Sequence, residues 1–445
     1  MTVRYKAGNV IASPESAGNA RVGSGALSEA HAIPSAQCEP TRGRLSRRRF
    51  LAFGTLPLAG SSLGVPPAAG SAPPRELRIR DAYYLWYNAP NVAALRAGFC
   101  IGYLTSGGEV RVAAISEELD LLGVTTLHVF QDASDHGSPA ILRVPAGRHQ
   151  GHLLACFSNH ATELLCRLSR YPGRADDWGS LQAIDAGRCT YPSLSALPNG
   201  DLMLLYTTQH TTPGEGDSGE WRRTVCVISR DGGASWGAPT VVADHGRGTF
   251  PYAAPLATSE AGTSAVVYSL YSSARKQHQG LRIVVSSDGF STTLEHSIEQ
   301  CWRDRHADVV PISARWISDH GLWILFSVRS PDAPLGEVML GVVSLGRGGR
   351  LRSRVLPVAE PAVHGYLGSA AFHADRSRLV YAPVGGGLTS QCLFSGSRTV
   401  LRPEGEYASP LTFRHGQSEY LVVLENPDIR STRRFRADLL VMRLE

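Results

Sequence analysis

The chain has 445 residues, a length that two or three average domains or one large all-β domain would fill. Its formal net charge is +5, and residues 1–72 alone, with eight basic and three acidic residues, account for all of it. The rest of the chain is therefore near neutral and lacks the strong basic excess of a nucleic-acid-binding domain. We expect no nucleic-acid partner.

Residues 1–72 are predicted to be an export leader. Ser46-Arg47-Arg48-Arg49-Phe50-Leu51 has the pattern of a twin-arginine signal, and an apolar run and small residues follow it up to Ala72. The run is too short and too interrupted by Gly and Pro to span a bilayer, so we expect no stable membrane anchor. We predict that this leader is disordered and removed, which makes residues 73–445 a periplasmic or secreted domain. The alternative is an arginine cluster in a disordered tail.

From Arg75 onward, short apolar or alternating runs are separated by Gly, Pro, Asp and Ser clusters, which predicts an all-β domain. Six opening phrases recur every 43 to 59 residues, a spacing typical of four-stranded propeller blades. They are Ser138-Pro139-Ala140, Tyr191-Pro192-Ser193, Phe250-Pro251-Tyr252, His306-Ala307-Asp308, His364-Gly365-Tyr366 and Tyr407-Ala408-Ser409. With the unit from Ala82 to Phe130, they predict a single β-propeller of seven four-stranded antiparallel blades. Six blades is the alternative, and the first and last strands are expected to share one sheet.

The cysteines after the leader show no paired spacing, and most lie in apolar runs. They are Cys100, Cys156, Cys166, Cys189, Cys226, Cys301 and Cys392. An odd, scattered set is typical of small buried thiols, with one disulfide or a metal ligand as the alternative. We expect a monomer that needs no cofactor for its chemistry, and the pattern leaves a structural metal ion open.

The octet from Ser229 to Trp236 fits the pattern S-x-D-x-G-x-S/T-W, the Asp-box or BNR motif, at every defined position. Ser229 and Asp231 are predicted to bond turn amides, Gly233 to adopt a positive φ, and Trp236 to pack on a neighbouring strand. A near copy from Ser286 to Ser291 lacks the Trp. The octet resembles the blade hairpins of sialidase-like propellers, so we assign it a structural role on the blade rim.

Two histidines and a tyrosine are the candidate catalytic residues. His136 precedes the strand that begins at Ala140, and His160 ends the next strand, so a hairpin would place the two imidazoles side by side. Tyr191 heads the first strand of the following unit, one blade around the ring. These groups can move protons near neutral pH. Asp135 either orients His136 or caps the turn, and the sequence does not separate the two roles.

The succession of His136-Gly137-Ser138-Pro139-Ala140, Ser158-Asn159-His160 and Tyr191-Pro192 resembles the BNR-repeat propellers that include the ulvan lyases, from about Tyr84 to Trp236. The resemblance implies a polysaccharide lyase that cleaves an acidic polysaccharide or oligosaccharide beside a uronic acid by β-elimination. It places His136, His160 and Tyr191 in the cleft, with Tyr191 or His136 as the base and as the proton donor to the leaving oxygen.

One position departs from that family. Its members have an arginine that neutralises the uronate at the end of the strand after the tyrosine, where this chain has Thr207. In one interpretation, the role of that arginine passes to His210, Arg222, Arg223 or Arg329. In the other, this chain has a different activity. The residues predicted to line the cleft and bind substrate are His210, Tyr252, His306, Arg329 and His364.

Two other functions compete with the lyase. A noncatalytic carbohydrate-binding propeller is favoured by the missing arginine. A sialidase-type glycoside hydrolase would need three arginines on one carboxylate, a Tyr–Glu pair and an Asp acid. Arg143-Val144-Pro145 superficially resembles the Arg-Ile-Pro motif of sialidases. It follows an inner-strand run, however, instead of opening it.

Overall fold

A computed structural model describes residues 75–211, 220–298, 308–317, 321–329, 337–345, 351–352, 362–363, 370–373 and 377–444. The predicted leader, residues 1–72, lies outside these residues, as do His306 and His364. No helix in the described ranges has the length and apolar character needed to cross a membrane.

The first part of the described chain contains twelve strands and one short 3-10 turn, Asp135–Gly137, which precedes β6. The strands are β1 (Glu76–Ile79), β2 (Val92–Ala94), β3 (Phe99–Leu104), β4 (Glu109–Ile115), β5 (Leu121–Val129), β6 (Ala140–Arg143), β7 (Leu153–Phe157), β8 (Thr162–Leu168), β9 (Gln182–Ala196), β10 (Leu202–Thr211), β11 (Glu220–Ser229) and β12 (Thr240–Arg247).

The second part continues the same pattern. Its strands are β13 (Thr249–Ala253), β14 (Ala257–Thr258), β15 (Ser264–Ser272), β16 (Gln277–Ser286), β17 (Leu294–Ser297), β18 (Asp308–Ile317), β19 (Gly321–Arg329), β20 (Glu337–Leu345), β21 (Leu351–Arg352), β22 (Ala362–Val363), β23 (Ala370–Phe372), β24 (Arg378–Tyr381), β25 (Leu388–Cys392), β26 (Arg398–Arg402), β27 (Tyr407–His415), β28 (Ser418–Ser431) and β29 (Arg434–Leu444). The prediction of an all-β domain is confirmed.

The strands form six sheets in which successive strands pair antiparallel. The sheets are β2-β3-β4-β5, β6 to β12, β13-β15-β16-β17 with β14 on β15, β18-β19-β20-β21 with β22 on β20, β23-β24-β25-β26, and β27-β28-β29-β1. In the last sheet, Glu76 of β1 lies opposite Met442 of β29, so the first and last strands share one sheet as expected.

The seven-stranded sheet is continuous because β9 has 15 residues and serves two neighbours. Its first half pairs with β8, where Cys189 lies opposite Thr162. Its second half pairs with β10, where Leu194 lies opposite Leu204. Tyr191 lies just after the last residue paired with β8, at a shift in the β9–β10 register between Thr190 and Ser193.

The structure contains a cavity of about 820 Å³. Its lining comes from inner strands of the sheets and from the segments that lead into these strands. Its lining includes Asn91 before β2, Ser195 of β9, Thr258 of β14, Arg315 of β18 and Thr412 of β27. Five of the six sheets contribute strand residues to it, and the segment that leads into β2 contributes beside the sixth, so the sheets surround a common central space. The lining takes in the later residues of β9 and contains neither His136, His160 nor Tyr191.

The octet from Ser229 to Trp236 forms the turn between β11 and β12. Ser229 Oγ accepts a hydrogen bond from the amide of Gly233 and donates one to Asp231, each at 2.8 Å. Asp231 also accepts bonds from the amide and hydroxyl of Ser235. Gly233 has a φ of +93°, the conformation for which glycine is favoured.

The second copy, between β16 and β17, makes the same bonds without a tryptophan. Ser286 Oγ accepts from the amide of Phe290 and donates to Asp288, and Asp288 accepts from the amide and hydroxyl of Thr292. Thr292 therefore takes the part that Ser235 plays in the first copy. The Ser–Asp pair, and not the Trp, determines the shape of the turn.

Replacing Trp236 with alanine should lower stability and leave activity per folded molecule unchanged. The indole is half-buried against the apolar cluster that includes Leu154 and Leu204. We expect a loss below the about 3–5 kcal/mol typical of a fully buried Trp→Ala change, because part of the ring remains in water. Thermal melting and turnover of Trp236→Ala check this. An unchanged melting temperature with lost turnover would contradict the structural role.

Candidate functional site

The 3-10 turn before β6 holds His136 in a buried position. Asn88 Nδ2 donates to the carbonyl oxygens of His136 and Ser138, both at 2.7 Å, and the amide of Asp135 donates to the carbonyl of Thr432 at 2.8 Å. His136 and Asp135 are each only 1% exposed. The backbone of the turn that carries His136 is therefore held on both sides.

The carboxylate of Asp135 and the hydroxyl of Tyr191 lie at opposite ends of the His136 ring. His136 Nδ1 is 2.7 Å from Asp135 Oδ1 and 3.0 Å from Ser134 Oγ, and Nε2 is 3.0 Å from the Tyr191 hydroxyl. A carboxylate only accepts hydrogen bonds, so Nδ1 carries the proton of the neutral ring and Nε2 presents its lone pair to Tyr191. Asp135 thus orients His136, which was one of the two interpretations left open by the sequence.

Tyr191 occupies an unusual backbone conformation, with a φ of +58°. This region is sparsely populated by residues other than glycine, and such outliers cluster at functional sites. The residue is 7% exposed, and its ring packs 4.7 Å from that of Tyr87. Burial raises the pKa of Tyr191 well above its usual value, so the phenol is protonated at neutral pH and needs an acceptor for its own proton before it can act as a base.

His160 lies beside His136, with the ring centroids 4.4 Å apart and the rings edge to face. His160 is more exposed than Asp135, His136 and Tyr191, which are all buried. Partial burial of its ring lowers the pKa of His160 to about 4, and repulsion by His136, Arg222 and Arg188 adds to the effect. His160 is therefore neutral at neutral pH.

The lowered pKa of His160 predicts a pH-dependent contribution to stability. An unfolded histidine with a pKa near 6.5 takes up a proton that folded His160 binds only near pH 4, so this residue lowers stability as the pH falls from 6.5 to 4. The melting temperatures of the wild type and of His160→Asn should therefore diverge in that range, with the wild type losing more. A constant difference would show that His160 titrates normally in the folded protein.

Tyr252 of β13 and Arg222 of β11 extend the group on the other side of Tyr191. The Tyr191 and Tyr252 hydroxyls are 3.2 Å apart, and Arg222 Nη1 donates to the Tyr252 oxygen at 3.4 Å. Glu220 accepts from Arg222 Nε at 2.7 Å. Burial lowers the pKa of Arg222, but Tyr252 and Glu220 outweigh this effect and raise it, so Arg222 is a permanent cation.

Of the other predicted substrate-binding residues, the structure describes His210 and Arg329, which contact residues outside this group. His210 lies on the opposite face of β10 from Gln209, with its ring 5.6 Å from that of Trp221. Arg329 is paired with Asp308 at 3.4 Å. His306 and His364 lie outside the described residues.

Two features of the group were absent from the sequence-based site. Glu220, which holds Arg222, is not among the predicted site residues, and neither is Gln209, which lies opposite both Arg188 and Arg222 in the sheet. Strand alternation offered a signal for Gln209, because it shares a face of β10 with Thr207, whereas His210 does not.

Within the described ranges, no three His, Cys, Asp or Glu side chains are placed to hold a metal ion. The cysteines there are free thiols, five of them buried and Cys392 half-buried, and Cys301 lies outside these ranges.

No protein-family model matches the chain, and no curated protein matches it by sequence. Solved structures do share its fold. A PL25 ulvan lyase, solved bound to -[GlcA(1-4)Rha3S]-, has a TM-score of 0.59 at 12% identity over 81% of this chain and 93% of its own. The polysaccharide lyase Uly1 has a TM-score of 0.50 at 12% identity, covering 83% of this chain and 99% of its own. The BP39L lectin from Burkholderia pseudomallei also reaches 0.50, at 14% identity, covering 79% and 98%. At these identities the likeness shows the fold alone, a β-propeller-like fold found in carbohydrate-active proteins.

Proposed function

We propose that this protein is a polysaccharide lyase that cleaves a uronic-acid-containing polysaccharide by β-elimination. The observation that carries the proposal is the buried line from Asp135 through His136 to Tyr191, with contacts of 2.7 and 3.0 Å. Such a line gives a phenol an acceptor for its proton. The fold shared with two polysaccharide lyases supports the same class of reaction.

The reaction balances with these groups alone. Tyr191 oxygen takes the proton from the carbon next to the uronate carboxylate, while its own proton passes to His136 Nε2 and Asp135 stabilises the imidazolium. The electrons of the broken C–H bond form the C=C bond as the glycosidic C–O bond breaks. The proton then returns from His136 through Tyr191 to the leaving oxygen, so the enzyme ends as it began.

For the architecture, we propose seven blades. The seven-stranded sheet is interpreted as two four-stranded blades that share β9, whose first half is the outer strand of one and whose second half is the inner strand of the next. The other five sheets each supply one blade. The single sheet formed by β1 and β27 to β29 supports ring closure by the two ends of the domain.

Noncatalytic carbohydrate binding is the second candidate, because a lectin shares the fold and Thr207 stands where the lyase family has arginine. The sialidase-type alternative finds less support. Its three arginines would converge on one carboxylate, whereas Arg222, Arg223 and Arg329 bond Glu220, Asp244 and Asp308 respectively.

The proposal is tested by incubating the domain with a panel of uronate-containing polysaccharides and following the ultraviolet absorbance of an unsaturated uronate. We expect absorbance to rise with at least one polymer, and not with Tyr191→Phe. Binding of a polymer in the panel without any rise would favour the lectin, and release of reducing ends without a rise would favour a hydrolase.

A further inference from the structure

The hydrogen-bonded line at the site does not end at Tyr191. It runs from Asp135 through His136, Tyr191 and Tyr252 to Arg222, with successive contacts of 2.7, 3.0, 3.2 and 3.4 Å. The members come from the turn before β6 and from β9, β13 and β11. A line that crosses from one sheet to another in this way is held by the fold and not by a single loop.

The two ends of this line determine the direction of every hydrogen bond within it. Arg222 has donors and no acceptor, so the Tyr252 oxygen accepts from it and the Tyr252 hydroxyl proton is free to donate to Tyr191. Asp135 only accepts, so His136 donates to it through Nδ1 and presents the Nε2 lone pair. The Tyr191 hydroxyl proton is thereby directed to His136.

We propose that Arg222 is a positioning residue that polarises the two phenols toward His136 and stabilises the negative charge that develops on the Tyr191 oxygen. The inference rests on the proposed elimination and extends it to a residue that reaches the reacting phenol only through Tyr252. Glu220 keeps the guanidinium in place, and the rings of Phe250 and Tyr252 lie 4.9 and 5.9 Å from its central carbon.

The charges around Tyr191 favour this role. The groups that face its ring or hydroxyl include His136, Tyr252 and Tyr87, with Arg222 behind Tyr252. Burial and the two neighbouring phenols raise the pKa of Tyr191, whereas the charge of Arg222 lowers it. A cation acts more strongly here than in water because the site is largely buried.

The chain offers a matched control in the next residue. Arg223 lies on the other face of β11, where it bonds Asp244 at 2.9 Å and stacks on Trp221 at 3.6 Å. Arg223→Gln removes the same charge from the same strand without touching the two phenols. Arg222→Gln is combined with Glu220→Gln so that no unpaired carboxylate is left behind.

The test follows the pH dependence of kcat/KM and, separately, the alkaline NMR titration of tyrosines isotopically labelled at Cζ, with Tyr191→Phe identifying the Tyr191 signal. Because the pKa of Tyr191 is raised, the quantity compared is the pH at which its ionisation begins. In Glu220→Gln/Arg222→Gln we expect the Tyr191 titration to move up by about one pH unit, since a nearby opposite charge typically lowers a pKa by about 1–3 units and Arg222 acts from one residue further away. The limb of the pH profile of kcat/KM that Tyr191 governs should move in the same direction. Arg222→Lys, which keeps the charge, should leave the Tyr191 titration and this limb near their wild-type positions. Arg223→Gln should change neither of them.

The single change Glu220→Gln should have the opposite sign, because it leaves Arg222 charged and removes its counter-ion. An unchanged Tyr191 titration in the double variant, or an equal shift in Arg223→Gln, would overturn the proposal. The NMR titration needs no substrate, so it separates this inference from the elimination mechanism. A protein without lyase activity but with the expected shifts would contradict only the proposed function.

Discussion

Tyr191→Phe should lower kcat/KM on a cleavable polysaccharide by about 10²–10⁴-fold, the usual contribution of a positioned acid–base group. The substitution removes one oxygen and keeps the ring against Tyr87, so the melting temperature should change little. Because the same oxygen takes the proton and later returns it, the loss should fall mainly on kcat. Steady-state kinetics and thermal melting of the purified variant check this.

Tyr206→Phe is the matched control, since it also removes a buried hydroxyl bonded to a carboxylate, here Asp185 at 2.9 Å, but on the other face of the sheet. It should cost stability and spare kcat. Comparable activity in Tyr191→Phe and the wild type would rule out Tyr191 as the proton-transfer group.

Asp135→Asn should reduce kcat by about 10³–10⁴-fold, on the scale seen when an orienting carboxylate beside a catalytic histidine is replaced by an amide. The amide can donate to His136 Nδ1, which moves the ring proton to Nε2. Nε2 would then donate to Tyr191 instead of accepting from it, so the phenol loses its proton acceptor while the shape of the site is kept. NMR of the imidazole nitrogens reports the tautomer directly.

Asp132→Asn provides the control for that change, because this nearby carboxylate is exposed and pairs with Arg433 at 2.9 Å. It should leave both the tautomer and kcat unchanged. An Asp135→Asn protein with the inverted tautomer and full activity would show that proton transfer to His136 is not required.

The strands could be predicted from the sequence because burial leaves a local trace. The five residues of β7 are all apolar and buried, and β4 alternates between buried and partly exposed positions except at Val112 and Ala113, which are both buried. The start of β9 could not be predicted. It begins at Gln182, well before the apolar phrase at Tyr191, because its first half is a partly exposed strand held by pairing with β8.

The pairing of His136 with His160 follows from a single hairpin, β6 and β7, whose ends the sequence marks. The place of Arg222 does not follow in the same way. Whether it meets Tyr252 depends on the register of β10 with β11 and on which face of β11 it occupies, and short-range sequence patterns determine neither. Strand alternation alone, however, was sufficient to separate His210 from the face of Thr207.

The central claim is that a glycosidic bond is broken by elimination and not by water. Cleavage of an active polysaccharide in water enriched in the heavy oxygen isotope, followed by mass spectrometry of the fragments, distinguishes the two. An elimination takes no oxygen from water into either fragment, so we expect unlabelled products whose unsaturated end is lighter by one water than a hydrolysis product. Fragments that carry the heavy oxygen at the cleaved bond would contradict the account.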